Sequence, residues 1–250
     1  MEPLLRLDNI GKSFGAVRAL DGIRFDLFER EVVALIGDNG AGKSTLVKVI
    51  AGALIPDQGT IRYQGQDVRI RKPEDARELG IETVYQDLSL FNHSNVAENI
   101  YSGREIVKRI CGVPVLDRKT MHERSRELLT SLKIHIQSTH LPVKGLSGGQ
   151  RQTIAIARAV AFGRKVVILD EPTAALGVPE QEKVLSLIKE LRAKDFSVIL
   201  ISHNLGHIFE VCDRMHVLHQ GRTAGVLRRD ETTPEEIVGL ITGSKRTALH

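Results

Sequence analysis

A glycine-rich stretch that ends in lysine and serine contains the residue types most suited to chemistry. Eight consecutive residues have the spacing G-x-x-x-x-G-K-S: Gly37, Asp38, Asn39, Gly40, Ala41, Gly42, Lys43 and Ser44. Glycines let successive backbone N–H groups close around phosphate oxygens, and a helix N-terminus adds partial positive charge. Lys43 would reach the β- and γ-phosphates, and the Ser44 hydroxyl would bind Mg²⁺. The alternative is a glycine turn without a ligand, but the apolar strand before the motif and the helical pattern after it favour a phosphate-binding loop.

Two adjacent carboxylates, Asp170 and Glu171, end a second apolar run. The carboxyl ends of parallel strands are where α/β folds place ligand chemistry, so Asp170 would hold Mg²⁺ directly or through water. Glu171 would point to the γ-phosphate side and polarise an attacking water as a general base. Taken alone, an Asp-Glu pair is more often a solvated strand end. Its occurrence together with the phosphate loop favours the catalytic interpretation.

A third segment, LSGGQ, precedes the helical run RQTIAIARAVAF. A serine and two glycines at a helix start form a second anion-binding N-terminus in the same chain. The residues concerned are Ser147, Gly148, Gly149 and Gln150. The alternative is an ordinary helix N-cap, which would be the commoner reading if the segment stood alone.

The elements that position these residues follow from three short apolar runs, at 32–36, 166–169 and 198–201. The runs are β-branched and lack polar alternation, which is typical of parallel strands covered on both faces. Apolar residues at i, i+3 and i+4 predict helices after the first run and before the third. These patterns predict an α/β fold with right-handed crossovers.

The segments outside this core have weaker patterns. The sequence GTIRYQGQDVRI predicts short strands joined at Gly65, in an antiparallel piece shared with the N-terminal 30 residues. Between about 88 and 160 no strand pattern is found, and the capping-box spacing from Thr120 to Glu123 predicts a helix start in a mostly helical insertion. The segment EEIVGLI predicts a last helix, followed by a polar tail.

Composition describes an ordinary globular chain of 250 residues, 42% hydrophobic, with a net charge of +4. Fibrous, collagen-like and disordered classes are excluded. Charges of both signs are interspersed, so no nucleic-acid partner is expected. Cys111 and Cys212 form no C-x-x-C pair, which argues against a zinc ribbon or a redox motif. Because the apolar runs are far shorter than the roughly 18 residues of a membrane span, any membrane role is expected to come through a partner.

The order of the motifs resembles that of the nucleotide-binding subunits of ATP-binding-cassette (ABC) transporters. GDNGAGKST, VYQD with Gln86, LSGGQRQ, VVILDEPT and ILISHN with His203 occur in that family's order and approximate spacing. The resemblance implies a P-loop NTPase (RecA-like) parallel-sheet core with an N-terminal antiparallel β subdomain and a helical insertion subdomain. It implies one cassette over 1–250, with the catalytic core at 1–87 and 160–225, the helical subdomain at 88–159 and a C-terminal helix and tail at 226–250.

The resemblance also implies roles for single residues and for a second chain. Phe14 would stack on the adenine of ATP, with a core phenylalanine as the alternative, and Thr45 would complete the phosphate loop. Gln86 would contact Mg²⁺ and the attacking water, and His203 would bond the γ-phosphate and orient Glu171. Two copies would pair head to tail, each ATP lying between one phosphate loop and the partner's Ser147–Gln150 segment.

One position departs from the family pattern. Where the family reads S-A-L-D after EPT, this chain has Gly177 in place of the aspartate that normally crosses the dimer interface.

The segments EPTAALGVPE, YQDLSLF and EIVGLITG resemble the ribose, xylose and fructose branch of bacterial sugar importers. That branch implies peripheral attachment to the cytoplasmic face of the cell membrane, permease subunits, and an extracytoplasmic sugar-binding protein acting indirectly. The alternatives are a non-transport ABC protein and a nucleotide-binding regulatory subunit with weak turnover.

Overall fold

Residues 2–162 and 165–244 are described by a computed structural model of the chain. The polar tail expected after the last helix begins within this range and continues outside it. The strands of the described residues are β1 (Leu5–Phe14), β2 (Val17–Leu27), β3 (Val32–Gly37), β4 (Gln58–Tyr63), β5 (Gln66–Val68), β6 (Ile81–Val84), β7 (Val107–Ile110), β8 (Val113–Leu116), β9 (Val166–Asp170), β10 (Ser197–Ile201), β11 (Arg214–His219) and β12 (Arg222–Arg228). The α-helices are α1 (Lys43–Ile50), α2 (Pro73–Glu78), α3 (Val96–Ile100), α4 (Arg118–Ser131), α5 (Gly148–Phe162), α6 (Val178–Ala193), α7 (Leu205–Val211) and α8 (Pro234–Ile241).

The core is a six-stranded sheet with the order β12-β11-β3-β10-β9-β6. Every neighbouring pair in it is parallel except the β11–β12 hairpin. The three apolar runs of the sequence form the adjacent strands β3, β10 and β9. Their prediction as parallel strands of an α/β fold is confirmed, as are the helices α1 and α6 that pack on the sheet.

Both faces of this sheet are buried, which explains the lack of polar alternation in its strands. Along β3, Val32, Ala34 and Ile36 pack on the side of α5 and α6. Val33 and Leu35 pack on the other side, with α1 and the antiparallel sheet. All five are at most 2% exposed. Consecutive side chains of a strand point to opposite faces, so an uninterrupted apolar run is what a doubly covered strand requires.

The antiparallel piece is a four-stranded sheet with the order β2-β1-β4-β5. Strands β4 and β5 meet at the turn that contains Gly65, as predicted, and β1 and β2 are supplied by the N-terminal residues. A hydrophobic cluster that includes Leu5, Leu7 and Phe25 packs this sheet against α1. The antiparallel sheet therefore lies over the helix that carries the phosphate loop.

The insertion differs from the prediction in two respects. Its helices α3, α4 and α5 make up most of its regular structure but fewer than half of its residues, and β7 and β8 form a hairpin where no strand was predicted. Seven of the eight residues in these strands are exposed, and each strand has only four residues, so neither a buried run nor a sustained alternation is present. The N-cap of α4 is Asp117, whose carboxylate accepts hydrogen bonds from the Thr120 N–H and hydroxyl, so the prediction of a cap at Thr120 is wrong.

Element boundaries also cross the expected divisions of the chain. Helix α5 continues to Phe162, beyond residue 159, and strand β12 continues to Arg228, beyond residue 225. The last predicted helix is α8, capped by Thr233. Within the described residues, no helix combines the length and the apolar character needed to cross a membrane.

Candidate nucleotide site

The predicted chemical residues meet at one edge of the core sheet. Strands β3, β10, β9 and β6 are parallel, so their carboxyl ends lie on the same side. Gly37 ends β3 and Asp170 ends β9, while His203 and Gln86 follow β10 and β6. This edge is where open α/β sheets bind their ligands.

The loop between β3 and α1 has the form of an anion-binding N-terminus. Gly42 is the N-cap of α1 with a φ of 105°, and it offers no side-chain cap to the first helical turn. A Cβ there would lie 2.7 Å from the Ala19 carbonyl oxygen on β2, so a larger residue would displace the loop. The N–H groups of the first turn therefore have no side-chain cap. These groups and the positive end of the helix dipole are directed to the exposed loop of residues 38–40. This arrangement suits the phosphates of a nucleotide.

Lys43 is held over this loop. Its Nζ donates hydrogen bonds to the carbonyl oxygens of Gly37 at 2.6 Å and Asp38 at 2.9 Å. Burial lowers the pKa of Lys43, while the nearby carboxylates of Glu171, Asp38 and Asp170 act in the opposite direction. A cation thus lies between the loop and the two carboxylates at the end of β9, where it can neutralise phosphate charge.

Asp170 and Glu171 are two carboxylates in different environments. Burial raises the pKa of Asp170, and the charge of Glu171 raises it further, although Lys43 opposes both effects. Glu171 adopts a φ of 48°, and its N–H donates to the Ile201 carbonyl oxygen at 3.0 Å. The left-handed region is unfavourable for a non-glycine residue.

Glu171 contacts the predicted histidine. The Oε2 atom of Glu171 lies 3.0 Å from Nδ1 of His203, and the side chains are 18% and 79% exposed respectively. One carboxylate oxygen thus lies within ion-pair distance of a largely exposed imidazole. A general base must lie within hydrogen-bond reach of the proton that it accepts.

Two further residues support this corner and were not assigned to the site from the sequence. The buried Thr173 hydroxyl lies 3.1 Å from Nδ1 of His207, on α7. The contact ties the loop after Glu171 to the helix that follows His203. The signal available in the sequence was the i+4 spacing from His203, although it does not indicate Thr173.

The side chains predicted for a metal fit Mg²⁺ rather than a transition metal. Ser44, Gln86 and Asp170 offer hydroxyl, amide and carboxylate oxygens, the hard donors that Mg²⁺ prefers. No group of three or more His, Cys, Asp and Glu side chains that could hold a metal occurs within 2–162 and 165–244. Mg²⁺ commonly retains several waters and binds through one or two carboxylates plus the phosphates of its nucleotide, so this sparse oxygen set suits it.

The LSGGQ segment occupies a separate place in the chain. Ser147 and Gln150 cap α5 reciprocally: the Gln150 N–H donates to the Ser147 hydroxyl at 3.2 Å, and the Ser147 N–H donates to Gln150 Oε1 at 3.0 Å. A Cβ on Gly149 would lie 2.5 Å from Cγ of Glu180 on α6, so Gly149 lets the two helices approach. Among the described residues, no hydrogen bond joins Ser147–Gln150 to the phosphate loop.

Phe14 lies at the tip of the antiparallel sheet. It is the last residue of β1, pairs with Val17, and is 48% exposed, so it is not the core phenylalanine that was its alternative. The strand that pairs with this tip lies beside the phosphate loop, because a Cβ on Gly42 would lie 2.7 Å from the Ala19 carbonyl oxygen, on the same strand as Val17. An exposed aromatic ring here could stack on a base, which remains a prediction.

Comparison with known proteins identifies the family. The family described as ABC transporter matches residues 20–174. The chain belongs to the ABC transporter family. It is 48% identical over 248 residues to the fructose import ATP-binding protein of Rhizobium meliloti, covering 98% of this chain and 95% of that protein. It is 47% identical over 242 residues to the xylose/arabinose import ATP-binding protein of Sulfolobus acidocaldarius, covering 97% and 95%.

A longer relative and the solved structures complete the comparison. The ribose import ATP-binding protein of Caldanaerobacter subterraneus is 38% identical over 243 residues, which cover 97% of this cassette but only 48% of that protein. The ADP conformation of an ATP-binding cassette of an ABC transporter superposes with a TM-score of 0.82 at 27% identity, covering 97% and 96% of the two chains. The P-loop NTPase fold, the family and the ATPase class predicted from the motifs are confirmed. The chain is an ABC ATPase that binds ATP.

Proposed function

We propose that this cassette hydrolyses ATP to power the import of a monosaccharide of the ribose, xylose or fructose type. The observation that carries the proposal is the identity of 48% and 47%, over nearly the whole chain, to the fructose and xylose/arabinose import proteins. The nucleotide site supplies the chemistry. The sugar itself would be chosen by the permease and an extracytoplasmic sugar-binding protein.

The proposed chemistry assigns one action to each group. The phosphates bind to the N–H groups of the Gly37–Ser44 loop, to Thr45 and to the Lys43 ammonium. Their negative charge is stabilised by the helix N-terminus. Ser44, Asp170 and Gln86 would hold Mg²⁺, which would neutralise charge on the transferred phosphoryl group. Glu171, whose carboxylate lies 3.0 Å from His203, accepts a proton from the attacking water. His203 then reaches the γ-phosphate with the ring nitrogen that does not face Glu171.

The proposed working unit contains two copies of the chain. Ser147–Gln150 makes its hydrogen bonds within α5 and none to the loop of the same chain within the described residues. A second chain would bring this segment to the phosphate loop from outside, and Phe14 would stack on the adenine. ATP would stabilise the closed pair by binding it more tightly than the separate chains. The core of 1–87 and 160–225, the helical subdomain of 88–159 and the C-terminal part of 226–250 would act as one cassette.

The proposed partner in the membrane is a permease that docks beside Gln86. Tyr85 and Phe91, on either side of the Gln86 loop, are 39% and 60% exposed. Exposed aromatic residues are typical anchors of protein interfaces. The chain would therefore be attached peripherally at the cytoplasmic face of the membrane, and no nucleic acid is needed for this function.

Uptake of labelled sugars tests the proposal in cells from which the gene is deleted and then restored. Restoring the parent chain is expected to restore uptake of one of the three sugar types. Lys43→Ala is expected to abolish it, because the phosphates lose their nearest cation. Lys48→Ala, at an exposed lysine on the same helix, is the matched control and is expected to behave as the parent. Uptake that persists in the deletion strain, with no other cassette expressed, would remove the import proposal.

A further inference from the structure

Arg158, on α5, reaches out of its own helix to the loop that follows Gln86. Its Nη1 donates to the Ser89 carbonyl oxygen at 2.9 Å, and its Nη2 donates to the Leu88 carbonyl oxygen at 2.8 Å. Two charge-assisted bonds from one planar guanidinium fix both distance and orientation. Burial lowers the pKa of Arg158 and the nearby Glu82 opposes this, but an arginine side chain stays charged.

The segment that Arg158 holds is strained. Ser89 has a φ of 48°, and its N–H donates to Asp87 Oδ1 at 3.1 Å. The left-handed region is unfavourable for a non-glycine residue, so the loop needs support to keep this conformation. The support comes from Arg158, which binds the carbonyl of the strained residue itself. Gln86 lies only three residues before Ser89.

The strand on the other side of Gln86 is also held by the insertion. Glu82 on β6 accepts a hydrogen bond from Arg104 Nη2 at 2.6 Å. The Arg104 guanidinium lies 4.5 Å from the centroid of the Phe162 ring, and Phe162 is the last residue of α5. Glu82 and Ser89 therefore bracket Gln86, and both are linked to the helix that begins at Ser147–Gln150.

We propose that Arg158 is a positioning residue that couples the LSGGQ helix to the Gln86 loop. A shift of α5, when its N-terminus engages a nucleotide, is transmitted through Arg158 to Leu88 and Ser89 and hence to Gln86. Changes at Gln86 are transmitted back to α5 in the same way. This inference rests on the proposed ATP hydrolysis and adds a residue that contacts neither nucleotide nor metal.

Turnover and ATP binding are measured separately to test this role. Arg158→Gln is expected to lower kcat about tenfold while the Kd for ATP stays within about twofold of the parent, because the phosphate loop is untouched. Arg158→Lys keeps the charge but loses the planar fork. Its kcat is expected to lie between that of Arg158→Gln and that of the parent. Arg126→Gln removes an exposed arginine of α4 that makes no hydrogen bond or ion pair within the described residues, and is the matched control.

A second substitution distinguishes positioning from a general loss of structure. Ser89→Gly relieves the positive φ. Added to Arg158→Gln, it is expected to raise kcat at least about threefold, whereas alone it is expected to raise the parent's kcat by less than that. The chain has no tryptophan, so Tyr85→Trp provides a single fluorescent reporter beside Gln86. In a Glu171→Gln background, ATP is expected to change its emission, and Arg158→Gln is expected to remove most of that change.

Each outcome decides the proposal. A kcat for Arg158→Gln within about twofold of the parent, or a full emission change in that variant, overturns the coupling while leaving ATP hydrolysis intact. Loss of kcat and ATP affinity together, unrelieved by Ser89→Gly, also overturns it. A parent chain that binds no ATP would overturn the proposed function together with this inference, so the two failures are distinguishable.

Discussion

Acid lability of the fold is predicted from one buried histidine. His216 on β11 is 1% exposed, its Nε2 lies 3.1 Å from the Thr223 hydroxyl, and its ring centroid lies 5.2 Å from that of Phe25. Burial, together with the charge of Arg214, lowers its pKa to about 3. The unfolded chain binds this proton near pH 6.5, so acid favours unfolding throughout the interval between the two values.

The magnitude follows from proton linkage. Each pH unit between the two pKa values costs about 1.4 kcal/mol, so lowering the pH from 6.5 to 5 removes about 2 kcal/mol of stability through His216. His216→Phe, which is close in size and does not titrate, is expected to lose about 2 kcal/mol less than the parent over this range. The loss of the Thr223 bond lowers its stability at pH 7 by about 1 kcal/mol.

Urea unfolding, followed by circular dichroism at both pH values, measures this difference. Thr223→Val is the control, because it removes the hydrogen bond but keeps the imidazole, and it is expected to retain the parent's acid sensitivity. If His216→Phe loses as much stability as the parent on acidification, to within about 0.5 kcal/mol, the account of His216 as a buried neutral histidine is refuted.

Two further substitutions test other parts of the structure. Gly177→Asp is expected to change the free energy of unfolding by no more than about 0.5 kcal/mol, because Gly177 is the N-cap of α6 at φ −69° and ψ 161°, a position that aspartate favours. A Cβ there would meet Oε2 of the flexible Glu180 side chain at 2.9 Å and Cδ of Pro179 at 3.9 Å. The steady-state ATPase rate of this variant is expected to rise, and a large fall in the unfolding midpoint would contradict the prediction. Asn99→Ala is expected to lower the free energy of unfolding in urea by about 2–4 kcal/mol. The reason is that the buried Asn99 amide accepts from the Phe91 N–H and donates to the carbonyls of Phe91, Ser94 and Asn95. A loss below about 1 kcal/mol would show that these hydrogen bonds do not hold the loop.

The parts of the fold that sequence reasoning predicted are those with strong local patterns. Strands β3, β9 and β10 are buried on both faces, so each appears as an apolar run, and the phosphate loop has a fixed spacing of glycine, lysine and serine. The carboxyl-edge arrangement followed from the parallel sheet alone. The exposed hairpin of β7 and β8 was missed because its short strands gain little from burial and leave no hydrophobic periodicity.

The contacts that connect these parts were not predictable in the same way. Arg158 meets Leu88 and Ser89 across 70 and 69 residues of chain, respectively, and Thr173 meets His207 across 34. Such pairs arise only when the tertiary fold brings the elements together. Gly149 shows a related limit, since its close approach to Glu180 gives it a packing role that the motif alone did not indicate.

The most direct test of the central proposal is a measurement of ATP turnover and assembly state on the purified Glu171→Gln chain. If Glu171 is the general base of an ATP-sandwich dimer, phosphate release falls about 10²- to 10⁴-fold while ATP still binds, and light scattering shows a dimer that forms only with ATP. Glu182→Gln, at an exposed carboxylate of α6, serves as the control and is expected to turn over as the parent does. A Glu171→Gln chain that hydrolyses ATP at the parent rate, or that remains monomeric with saturating ATP, would contradict the account.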